Sequence, residues 1–101
     1  MKNSIQYDRD TIEDCLILLV MADIRLYREK KMFDSIQMFN LMVICRLLNS
    51  SHLKAKDLWP AYQQIISEFP FEQLNNIKTA ELEFSAVLRV IRLINPEWKI
   101  S

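Results

Sequence analysis

The chain has 101 residues with 13 basic and 13 acidic side chains, one domain's length with no net field to draw it to nucleic acid or an anionic membrane. Half of its residues are apolar, enough to close a core and to exclude intrinsic disorder. Glycine is absent where average usage predicts about seven, which excludes glycine-built phosphate loops, the EF-hand calcium loop and tight primed hairpin turns.

Residues 1–9 read as a polar lead-in. Asp8, Asp10, Glu13 and Asp14 precede any apolar run, a start unlike that of a signal peptide. Asp10 with Glu13 three residues on reads as a capping box, so the first helix is expected over Thr11–Arg28. Arg25, Arg28, Lys30 and Lys31 gather at its end, where positive charge complements the helix dipole. The longest apolar run, Cys15 to Ala22, is far short of the roughly 20 residues that cross a membrane. The chain is therefore expected to be soluble and cytoplasmic. Cys15 and Cys45 have apolar neighbours and are read as reduced, buried thiols.

Asp34 is the next N-cap, opening a second helix over Ser35–Leu48 with Asn49 as its left-handed cap. His52 to Leu58 is ambiguous. Pro60 suits the first position of a third helix with Trp59 outside it or at its cap, ending near Glu68 before Pro70. Residues 69–78 read as a connection. A fourth helix is expected over Thr79–Ile94, stopped by Asn95 and Pro96, with Phe84, Val87, Leu88, Ile91 and Ile94 as its core stripe. Trp98 and Ile100 form a tail folded back on the core. No segment alternates as a strand does. The predicted fold is all-α, a single compact bundle of four to five helices with short connections.

Two of these helices carry a surplus of apolar residues. Cys15–Ala22 is apolar throughout, and Met38–Leu48 is interrupted only by Asn40 and Arg46. A surface helix ordinarily shows one apolar stripe, so part of this surface is expected to face a partner, either a second copy in a homodimer or another protein.

Convergent chemistry is sparse. Paired carboxylates at Glu13/Asp14, Glu81/Glu83 and Glu68/Glu72 read as solvated surface, and Ser51 with Lys54 lacks the other elements of a serine–lysine nucleophile. Two cysteines with one histidine do not make a zinc site. No cofactor and no metal are expected. His52 is the single histidine and the natural centre of any acid–base scheme near neutral pH. Arg46-Leu47-Leu48-Asn49-Ser50-Ser51-His52 resembles the arginine–histidine motif of the HEPN ribonuclease domains, small helical bundles acting on RNA across a dimer interface. That resemblance implies Arg46 and His52 as catalytic residues, although Leu47 stands where the family has a polar residue.

Charge is uneven. Residues 1–23 hold two basic and five acidic groups, residues 24–56 seven and two, and residues 57–101 four and six. The basic middle supports a further alternative, a dimeric nucleic-acid-associated regulator, though nucleic acid is not the expected partner. The favoured reading is a non-catalytic protein-binding domain, in its narrowest form an inhibitor or immunity protein that neutralises a toxin or nuclease. Its candidate contact residues are Lys30, Lys31, Met38 and Met42, together with Glu68, Phe69, Phe71 and Glu72 around Pro70.

Overall fold

A computed structural model describes residues 8–70 and 76–99. Four helices follow in order: α1 (Arg9–Lys30), α2 (Ser35–Leu47), α3 (Ala55–Ser67) and α4 (Asn76–Ile94). The described residues contain no strand, and the all-α bundle expected from the sequence is the fold observed. Phe71, Glu72 and Ile100, and most of the lead-in, lie outside the described residues.

Helix α1 packs against α2, α3 and α4, while α2 meets α3 and α3 meets α4. The hub position explains much of the apolar excess of α1. Leu16, Val20 and Ile24 are buried, and Ile12, Ile17 and Leu19 are half-buried against the same core. The centre is completed by Leu41, Ile44 and Leu48, by Tyr62 and Ile66, and by Val87, Val90 and Ile91.

Several boundaries differ from expectation for local reasons. Helix α1 starts at Arg9 because Asp8, not Asp10, is the N-cap, its Oδ1 accepting from the Thr11 backbone N–H at 2.7 Å. The Thr11 amide holds the Asp8 carboxyl below its usual range. Glu13 is then free for another task, accepting from Trp98 Nε1 at 3.1 Å while Arg9 lies over the Trp98 ring. This pins the tail to α1, as the sequence predicts for Trp98.

Helix α1 ends at a left-handed Lys31, φ 58°. Helix α2 is capped as expected by Asp34, with Gln37 completing the box, and Asn49 adopts φ 59°. Asn95 ends α4 differently. Its Nδ2 donates to the Leu48 carbonyl at 2.7 Å, tying the end of α4 to the end of α2.

Helix α3 begins at Ala55, resolving the ambiguous stretch, and runs through Pro60 with Trp59 inside it. Pro60 is exposed in the first half of the helix, where its cost is confined to the donor withheld from Lys56 and a local steric strain. Packing of Tyr62, Ile65 and Ile66 holds the helix through it. Phe84, expected in the core stripe of α4, is 42% exposed, and Ala86 and Val90 take the inward positions.

Candidate functional site

The apolar surplus of α2 is divided between core and surface. Its inward face is Gln37, Leu41, Ile44 and Cys45. Its outward face carries Ile36, Phe39 and Met42, respectively 52%, 60% and 43% exposed. These three recur at every third residue and so lie along one side of the helix. Arg46 is the one charged residue of the helix. Leu18 of α1 is also exposed, on the other flank, beside a groove of about 400 Å³ lined by Cys15, Leu19, Val43 and Leu47.

A second groove, about 450 Å³, runs between α2 and the start of α3. Met38, Met42, Cys45 and Leu53 supply its apolar lining, and Arg46, Lys54 and Lys56 line it together with Ser51. No carboxylate lines it. Met38 and Met42, singled out in the sequence, therefore share one groove with three cations. Burial raises the pKa of Cys45, which keeps the sulfur a thiol and a weak nucleophile. Cys15 is half-buried, not buried as expected, and both cysteines are free.

The other candidate residues do not join this groove. Lys30 and Lys31 lie at the opposite end of α2, where Lys30 Nζ is 3.5 Å from Asp34 Oδ2. Glu68 is bound across α3 and α4, 2.8 Å from Arg89 Nη2 and 2.9 Å from Gln64 Nε2. Those two hydrogen bonds hold its carboxyl below the usual range. Phe69 is buried in the core cluster and serves packing, not a free surface. His52 is exposed and does not line the groove that Arg46 lines. Among the described residues no group of three or more His, Cys, Asp or Glu side chains could hold a metal ion.

A buried polar cluster was missed by sequence reasoning. Asp23, fully buried on α1, accepts from Tyr62 Oη at 2.5 Å and from Asn40 Nδ2 at 2.7 Å. Gln37 Nε2 donates to the Asp23 carbonyl at 3.4 Å. Burial pushes the Asp23 carboxyl up to about 6 against the hydrogen bonds of Tyr62 and Asn40, and the charge of Asp34 adds to the rise. Burial, then the charge of Asp23 and the bond to it, raise the Tyr62 hydroxyl above its ordinary value. Rings of Tyr27, Phe33, Trp59 and Tyr62 run outward from this cluster in successive contact, with centroids 4.6, 5.6 and 6.2 Å apart. Every buried side-chain polar atom among the described residues has a partner, so this cluster joins α1, α2 and α3 and leaves no group aimed at a substrate. Asn40 was visible as a break in an apolar run; its partner Asp23, 17 residues away, was not.

No family model matches the chain, and neither a curated protein nor a solved structure matches it. No described helix is long and apolar enough to cross a membrane.

Proposed function

We propose that this is a non-catalytic protein-binding domain and that the outward face of α2 is its contact surface. The observation that carries the reading is the run of Ile36, Phe39 and Met42, three large apolar side chains left in water along one helix face. Scattered exposed apolar residues are ordinary, but a contiguous line on one element marks a contact surface, and aromatic and methionine side chains are favoured at the centres of interfaces. The polar side chains supply the complement to this argument, since the most elaborate polar cluster is internally satisfied.

Neutralisation of a toxin or nuclease is the narrower form of the same proposal, with the inhibitor docking by this face. The test is capture from the native host with the parent and Phe39→Glu as parallel baits, both verified as folded by circular dichroism. A protein retained by the parent and lost from Phe39→Glu is the expected result, and its toxic or nuclease activity should fall on stoichiometric addition of the domain. Equal retention by both baits refutes the surface assignment, and capture of RNA alone refutes the protein-binding reading.

A further inference from the structure

Resting on the protein-binding reading, we infer that the α2 face and the adjoining groove take an amphipathic helix of another protein whose apolar stripe ends in acidic residues. The surface is apolar along its length and cationic at one end. Ile36, Phe39, Met38 and Met42 supply the apolar part. Arg46, Lys54 and Lys56 close the end nearest α3, and no carboxylate lines the groove there. From Ile36 to Arg46 the face spans about 15 Å at the helical rise, the length of about three turns of a docked helix. The two methionines suit this role because an unbranched thioether fits a varied apolar surface. A helix-in-groove contact reads its ligand at i, i+3, i+4 and i+7, and charges at the rim steer and orient it.

Charge also disfavours a second copy of this chain. Packed in parallel, two α2 faces would set Arg46, Lys54 and Lys56 against their own copies, and juxtaposed like charges cost association energy. Packed antiparallel, the three cations would reach the start of the other α2, where Lys30 already engages Asp34. An acidic-ended partner pairs with the same cations instead.

The test uses two synthetic, fluorescently labelled helical peptides of 14 residues or so, about four turns, with one shared apolar stripe. One ends in three glutamates and the other in three lysines. The glutamate peptide is expected to bind at least about tenfold more tightly by fluorescence anisotropy, with the difference shrinking as salt rises. The double variant Lys54→Glu/Lys56→Glu is expected to reverse the preference, and Phe39→Glu to abolish binding of both peptides. Equal binding of the two peptides, an unreversed preference, or no binding of either at millimolar concentration overturns the inference. So does a parent that sediments as a dimer while Phe39→Glu sediments as a monomer, for then a second copy occupies the face. If neither peptide binds but the native capture is lost in Phe39→Glu, the acidic-helix assignment fails while the protein-binding reading stands.

Discussion

Tyr62 on α3 donates its hydroxyl to Asp23 on α1, 39 residues away in sequence, and both residues are fully buried. A carboxylate in that position needs every bond it has, because an unpaired buried charge costs several kcal/mol. Tyr62→Phe removes one of the two side-chain donors to Asp23 and keeps the ring. It is expected to lower stability by about 2 kcal/mol, the scale of a hydrogen bond to a charged group, measured as a shift in the urea midpoint at unchanged slope.

The same carboxylate gives stability a pH dependence of unusual sign. The folded pKa of Asp23 is raised from 3.8 to about 6, so between those values the folded chain holds a proton that the unfolded chain has released. Stability from this group is therefore full below about pH 4 and falls as pH rises to 6, by roughly 3 kcal/mol in all. Asp8 and Glu68, whose pKa values are lowered, act in the opposite direction at lower pH. Asp23→Asn isolates the effect, since Asn40 can turn its amide over and accept from the new side chain. The stability of the parent minus that of Asp23→Asn is expected to decline from pH 4 to 6.5 in urea melts. A flat difference would show that Asp23 does not titrate in this window.

Charge placed on the two faces of α2 should have opposite consequences. Leu41 is fully buried and Phe39 is 60% exposed. Leu41→Glu is expected to leave no cooperative melt, because nothing in the core pairs with it. Phe39→Glu should change stability by less than about 1 kcal/mol and act on binding alone.

His52 is exposed and does not line the groove that Arg46 lines. His52→Ala is therefore expected to leave both the melting temperature and partner binding unchanged, whereas Arg46→Ala should weaken binding of an acidic ligand. A ribonuclease built on this pair would lose about 10²–10⁴ in rate on removal of either acid–base group, a loss that an RNA-cleavage assay on folded variants detects.

The sequence made helices legible wherever the signal was local. Asp34 and Asn49 announce the limits of α2 because caps act within four residues. Pro60 misled because a proline favours the first turn of a helix only as a statistical preference, and the packing of Tyr62 and Ile66 overrides it. The apolar excess of α1 and α2 was visible, but composition does not say which residues face inward. Phe39 and Leu41 are equally apolar, and only the direction of the helix face separates them. The Asp23 cluster was the least legible, since three helices must pack before its members meet.

Because α1 and α3 each touch all three other helices, withdrawing either one uncovers the shared core of Leu16, Val20, Ile24, Tyr62 and Ile66. The bundle should thus open as one unit. In native-state hydrogen exchange, the central amides of α1 should lose their protons only through global opening, with the same free energy as the urea melt. Amides in the first turn of α3 should exchange much sooner, since it has no side-chain cap and Pro60 withholds a donor from it.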